Sequence, residues 1–219
     1  MIASDLINYM VPPLKPSDDI TRAKQWMDEF RVKQLPVVNE GNLLGFITED
    51  MLFDSEILYP YAGDYPLVNL DCQVHSSKHY YDILKLHGKY KMDVVAVVDG
   101  EFKGVVIIQD ILQELSQTAM VNSEGAILII ETTLQDYSLL EISRIIERNG
   151  SSILGLNMSA QASDPEKVEI AVRVNSQLVS EIQSGLRSSG YNLISTFNGD
   201  DKSFDENERY GLLMKYLES

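Results

Sequence analysis

The chain has 219 residues, 44% of them hydrophobic, enough to bury the core of one large domain or two modest ones. Thirty-three acidic residues against 18 basic ones give a formal charge of −15, and no Lys/Arg run interrupts it, which works against nucleic-acid phosphates and anionic bilayers as partners. The single cysteine, Cys72, excludes an intramolecular disulfide, and the longest apolar runs (94–98, 105–108 and 126–130) are strand-sized, far short of the ~20 residues that cross a bilayer.

Residues 1–10 carry Asp5 and lack a basic start, so they do not read as a signal peptide. Together with the lone thiol this makes a reducing, cytoplasmic setting the expectation. Asp18 and Asp19, which follow Ser17, are acids that suit a helix start. Ile20, Ala23, Met27 and Phe30 then recur at helical spacing. Leu35 to Val38 reads as a strand, Asn39-Glu40-Gly41-Asn42 as a hairpin turn, and Leu43 to Thr48 as the return strand. Glu49 to Leu58 is helical in pattern.

The same order then recurs. A helix is expected over Val74 to Gly88, a strand over Val94 to Val98, a turn at Asp99-Gly100-Glu101, a return strand over Phe102 to Ile108 and a helix from Asp110. Val37 aligns with Val97 at a spacing of 60 and Gly45 with Gly104 at 59, so the missing residue falls in the turn. This is an internal repeat of a unit too small to bury both its faces alone, and the copies are expected to pack on each other.

Ser116 to Glu124 reads as a connection. Beyond it the expected elements are a strand over Ala126 to Leu134, a helix capped by the S-x-x-E box of Ser138 and Glu141, and a strand over Ser152 to Ala160. A turn over Gln161 to Glu166 follows, then a strand with Val168, Ile170, Val172 and Val174 on one face. Leu178, Ile182 and Leu186 mark a helix, and Tyr191 to Phe197 the last strand. The order βαββαβ is the ferredoxin-like plan, an α+β sheet with one face left open. Residues 198–206 are acidic, and Tyr210 to Leu217 is a candidate terminal helix.

Leu35-Pro36-Val37-Val38 and Gly45-Phe46-Ile47-Thr48-Glu49-Asp50 resemble segments of CBS domains. So do their counterparts, Val95-Ala96-Val97-Val98 and Gly104-Val105-Val106-Ile107-Ile108-Gln109-Asp110, and the two copies resemble a CBS pair. Ile153-Leu154-Gly155-Leu156-Asn157-Met158 is similar to the second strand of ACT domains, and the whole layout resembles bacterial CBS–ACT regulatory proteins of the acetoin-utilisation type. The implied fold is an α/β CBS pair of two βαββα-type repeats (residues 1–118, divided near residue 60), then an ACT-like α+β domain (119–199) and an acidic tail (200–219).

The resemblance implies a non-enzymatic regulator that senses an adenine nucleotide (AMP, ADP, ATP or S-adenosylmethionine) in the cleft between the copies. It also implies a homodimer or higher oligomer that acts through conformational change or oligomerisation, with another protein chain as its target. In that family Gly, two apolar residues, Thr, two more residues and Asp form the pocket motif. The carboxylate accepts the ribose hydroxyls, the Thr hydroxyl reaches ribose or phosphate, and strand backbone reads adenine. Here Thr48 stands in register in the first copy, but Asp50 comes one residue early, a turn of about 100° on a helix. In the second copy Asp110 is in register and Ile107 replaces Thr. The nucleotide candidates are therefore Asp110, Thr48, Asp50, Val37 and Val97; Asp50 and Asp110 also read simply as acids favoured by a helix N-terminus. For an ACT-type ligand the candidates are Asp136, Tyr137, Ser138 and Asn157, with Ser138 read first as a plain helix cap.

His75, His79 and His87 fall in one expected helix, the first two at the spacing of helical metal ligands, but no H-E-x-x-H glutamate or cysteine accompanies them. A solvated polar face accounts for them as well, and no metal site is assigned. No Gly-rich phosphate loop, G-x-S-x-G elbow or Cys–His pair points to catalysis. The alternative to a sensor is an assembly module whose pockets have lost their ligands.

Overall fold

The computed structural model describes residues 1–53, 59–161 and 164–198. The contacts divide the chain into two compact units, residues 1–115 and 116–219. The expected terminal helix at 210–217, the acidic tail and the end of the helix beginning at Glu49 lie outside the described residues.

The first unit contains both repeats. In the first, α1 (Ile20–Phe30) leads into the hairpin β1 (Gln34–Asn39) and β2 (Asn42–Thr48), followed by α2 (Glu49–Phe53). In the second, the short strand β3 (Gln73–Val74) precedes α3 (Tyr80–Tyr90), β4 (Val94–Asp99), β5 (Glu101–Ile107) and α4 (Ile108–Ser116). The copies agree in detail. Val37 pairs with Gly45 and Val97 with Gly104, each followed by a one-residue bulge at Leu44 or Lys103. The first hairpin turns through Glu40 and Gly41, both at positive φ, and the second through Gly100 alone, which is where the spacing changes from 60 to 59. Arg31 and Lys91 both close their helices in the left-handed conformation.

The cap of α1 is Asp19, one of the two acids expected at that helix start, whose carboxylate accepts from Thr21 N at 2.7 Å. Two expected features differ. Val74 belongs to a strand, parallel to Val97, because its side chain fills the sheet core before the chain turns into α3. Consequently the three histidines do not share a helix: His75 lies in the turn before α3, His79 caps it and only His87 is within it.

The opening segment of each repeat lies on the other repeat. Asn8 N donates to Val105 O at 2.7 Å, while Phe46 and Val68 exchange two bonds at 2.8 and 3.0 Å. Ala3 N bonds Lys78 O and Ala62 N bonds Asp18 O, with both alanines fully buried. This exchange makes one core of Leu14, Leu35, Phe46, Ile47, Ala62, Cys72, Val94–Val97, Val105 and Ile111. Two further bonds tie the hairpins side by side, Asp93 N to the Gln34 side-chain oxygen at 3.0 Å and Phe102 N to Gly41 O at 2.8 Å.

The second unit begins with α5 (Ala119–Asn122), a single turn where a plain connection is expected. There follow β6 (Ala126–Thr133), α6 (Leu139–Arg148), β7 (Ile153–Gln161), β8 (Asp164–Val174), α7 (Ser180–Ser188) and β9 (Asn192–Phe197). The strands form one antiparallel sheet in the order β7-β8-β6-β9. β8 starts at Asp164, inside the expected turn, and Leu178, 89% exposed, precedes α7 instead of lining it. Alternate residues Ala126, Leu128, Ile130, Ile170, Val172 and Val174 bury one sheet face in the same core as Ile142, Ile146, Ile182 and Leu186 of α6 and α7. The opposite face carries Ile127, Ile129, Lys167, Glu169 and Arg173, all half-buried. Part of it is covered by α5, whose Met120 rests on Gly155.

Gly45 is the close-approach point of the exchange: at φ +138°, a Cβ there would lie 3.0 Å from Leu67 Cβ and 3.1 Å from Val68 O. Gly45→Val is expected to destabilise the first unit by about 2–4 kcal/mol, through backbone strain and loss of the Phe46–Val68 pairing. Urea unfolding followed by Trp26 fluorescence checks this, and Gly88→Ala on open helix surface is the control, expected to be neutral or slightly stabilising.

Candidate functional site

Asp110 is the third residue of α4 and half-buried. Its Oδ2 accepts a 2.8 Å hydrogen bond from the Asn8 side-chain amide, a partner 102 residues away. Asn8 is held at its other end too, since its Oδ1 accepts from Met10 N at 2.9 Å. A cavity of about 420 Å³ lies between residues 5–10 and α4, walled by Asn8, Tyr9 and Met10 on one side and Asp110, Gln113 and Glu114 on the other. Its lining contains three carboxylates (Asp5, Asp110, Glu114) and no Lys or Arg. Such a surface accepts hydrogen bonds from hydroxyls and amines and repels phosphate.

The other nucleotide candidates lie elsewhere. Thr48 Oγ1 accepts from Met51 N at 3.4 Å and so serves the start of α2, while Met51, in the register where the motif has Asp, packs against the core. Asp50 is exposed. Val37 and Val97 are fully buried, each between two neighbouring segments: Leu14 and Gly45 flank Val37, Val74 and Gly104 flank Val97. The outer strand edge is already used, since Val38 N bonds Leu14 O and Leu14 N bonds Pro36 O, both at 2.8 Å. Ile107 is buried at the second copy's Thr position.

A cavity of about 570 Å³ sits at the hairpin end of the first repeat, lined by Lys15, Pro16, Ser17, Asn39 and Glu40 among others. At the equivalent place in the second repeat, Asp99 Oδ1 takes Ser76 N at 2.9 Å and lies 3.2 Å from His75 Nε2. The Ser76 bond, aided by His75 and Lys103, holds the Asp99 carboxyl below its ordinary range. Cys72 is buried, which pushes its thiol up to about 11 and leaves it unreactive.

In the second unit Asp136 closes a turn with Thr133, accepting from its hydroxyl at 2.7 Å. Tyr137 packs against the core. Ser138 caps α6, taking Glu141 N at 3.3 Å, while the Glu141 carboxylate accepts from Tyr191 OH instead of returning to complete the box. Asn157 is exposed on β7. Of these four residues only Asp136 lines the 490 Å³ cavity at that end of the sheet, together with Glu131, Glu141, Lys167, Tyr191 and Asn192. Glu131 is its hub, accepting from Gln161 Nε2 (2.8 Å), Asn192 Nδ2 (3.0 Å) and Lys167 Nζ (3.2 Å).

No group of three or more potential metal ligands occurs among the described residues, and none of the helices searched there is long and apolar enough to cross a membrane. Sequence reasoning missed Asn8 and Lys15. Asn8 carries no local motif, and Lys15 sits in a proline-flanked segment whose only signal is the repeat alignment with His75.

Residues 3–56 match the family model of the CBS domain. No curated protein matches the chain. Among solved structures, a CBS domain pair/ACT domain protein from Thermotoga maritima is 20% identical, covers 52% of this chain and 96% of its own, and has a TM-score of 0.47. CBSX2 in complex with AMP is 22% identical over 53% of this chain and 96% of its own (TM-score 0.44). A Vibrio cholerae protein described as an acetoin utilization protein (AcuB) is 19% identical over 52% and 90% (TM-score 0.43).

The three donors on Glu131, that of Gln161 foremost, hold its carboxyl below the ordinary value. A depressed folded-state value stabilises above the unfolded value of about 4.3 and is lost as pH falls through the folded one. Urea midpoints should therefore drop as pH falls below the unfolded-state value, and Glu131→Gln should flatten that drop while lowering stability at pH 7.

Proposed function

We propose that the first unit is a regulatory CBS pair that binds an adenosine compound at Asp110 and acts by changing conformation or self-association, and that the second is an ACT-like, ferredoxin-type pairing domain. The observation that carries the ligand reading is the placement of Asp110. It is the one motif carboxylate in register, half-buried, at the wall of a cavity large enough for a nucleoside. The match of residues 3–56 to the CBS family supports regulation over catalysis. The βαββαβ order and the strand order β7-β8-β6-β9 support the reading of the second unit.

The charge of the cavity ranks the ligands. Three carboxylates without a facing cation disfavour polyphosphate and favour a neutral or cationic adenosine compound, so S-adenosylmethionine stands ahead of AMP and ATP last. A ligand at a hundredfold its Kd stabilises the folded state by about 2.7 kcal/mol. S-adenosylmethionine at millimolar concentration is expected to raise Tm by several degrees, ATP by much less, and Asp110→Ala to abolish the rise while Asp50→Ala leaves it. An equal rise in the Asp110 variant would put the ligand elsewhere.

A second reading, an assembly module with degenerate pockets, is favoured by the internal uses of the motif positions: Thr48 serves α2, Ile107 is core and Asn8 holds Asp110. The outer strands β7 and β9 carry no charged residue, and Ile194 and Phe197 on β9 are exposed, a composition suited to pairing with another strand. On this reading no adenosine compound shifts Tm, light scattering gives at least twice 24.7 kDa, and Ile194→Lys returns the monomer mass.

A further inference from the structure

We propose that the Asn8 side-chain amide is a built-in competitor for Asp110, a latch that a hydroxylated ligand must displace. This rests on the reading of Asp110 as the ligand carboxylate.

The Asn8–Asp110 bond is charge-assisted and part-buried, the strong class of side-chain bond. Its direction is fixed. A carboxylate only accepts and a backbone N–H only donates, so the amide must turn its nitrogen to Asp110 and its oxygen to Met10 N. Asn8 occupies one carboxylate oxygen, Oδ2, whereas a vicinal diol presents two donors to the same group. Exchange therefore replaces one bond by two and frees the amide.

The part that can move is short. Leu6 and Val11 are buried, and Ile7 packs against Gly104, where a Cβ would come within 2.5 Å of its methyl group. Between these anchors, Tyr9 and Met10 are 80% and 74% exposed. Loss of the Asn8 side-chain bond frees the amide and residues 9–10, while the Asn8 backbone stays paired with Val105. The device is also confined to one copy. The residue equivalent to Asn8 is Val68, which pairs with Phe46 as Asn8 does with Val105, and Val68 has no side-chain donor. The asparagine thus accompanies the one in-register aspartate.

The test is calorimetric titration of S-adenosylmethionine and of AMP into the full chain and its Asn8→Ala variant, with the Asn8 side-chain amide followed by NMR. The latch predicts three- to tenfold tighter binding to Asn8→Ala, the worth of one hydrogen bond at about 1 kcal/mol. It also predicts that ligand shifts the Asn8 amide signal in the wild type, and that Asp110→Ala shifts it without ligand. Equal or weaker binding to Asn8→Ala overturns the competition, while leaving Asp110 as ligand carboxylate. Absence of binding to either protein overturns the ligand reading itself and the competition with it. An Asn8 signal unmoved by Asp110→Ala overturns the bond as a solution contact.

Discussion

The first unit depends on a reciprocal exchange: each repeat lends its opening segment to the other. A helix–hairpin–helix of this size leaves one sheet face and one strand edge uncovered, and exposed edge groups cost too much to bury unpaired. The exchange meets both needs. Val68 pairs with Phe46 of β2 and Asn8 with Val105 of β5, and Leu14 and Val74 pair with β1 and β4 on the other side. The glycines follow from this arrangement. Gly45 and Gly104 stand where Leu67 and Ile7 arrive, and any side chain there would separate the segments.

The same exchange positions the chemistry. It brings residue 8 to residue 110 and so builds a cavity from two ends of the unit. The two copies share a backbone and differ in what they place on it. On one side a carboxylate faces an asparagine. On the other, Met51 turns into the core and Asp50 into solvent, the outcome of a single-residue displacement on a helix.

Much of this was legible in the residues. Alternation over Val168–Val174, the Asn39–Asn42 turn and the paired Val-Val/Gly signals placed nearly every strand, because period and turn chemistry act locally. Short elements were not. β3 is two residues long and held by parallel pairing to β4, so Val74 joined a helix in the sequence reading and drew the three histidines with it. α5 is one turn, fixed by Met120 resting on Gly155. Among candidate site residues, Asp110 and Asp136 line cavities, while Val37, Val97 and Thr48 are consumed by the fold. No single-sequence signal joins Asn8 to Asp110, since that contact exists only once the segments have crossed over.

The exchange also bears on how such a unit could arise. One repeat alone could cover its β edge only by receiving the opening segment of a second, identical chain, and by lending its own in return. A stand-alone copy would thus be a two-fold symmetric, segment-swapped dimer. Fusion of two copies converts that association into an intramolecular one, independent of concentration. It also releases the copies from symmetry. An asparagine and an in-register aspartate can then be kept on one side and dropped from the other, which no homodimer of single repeats could do.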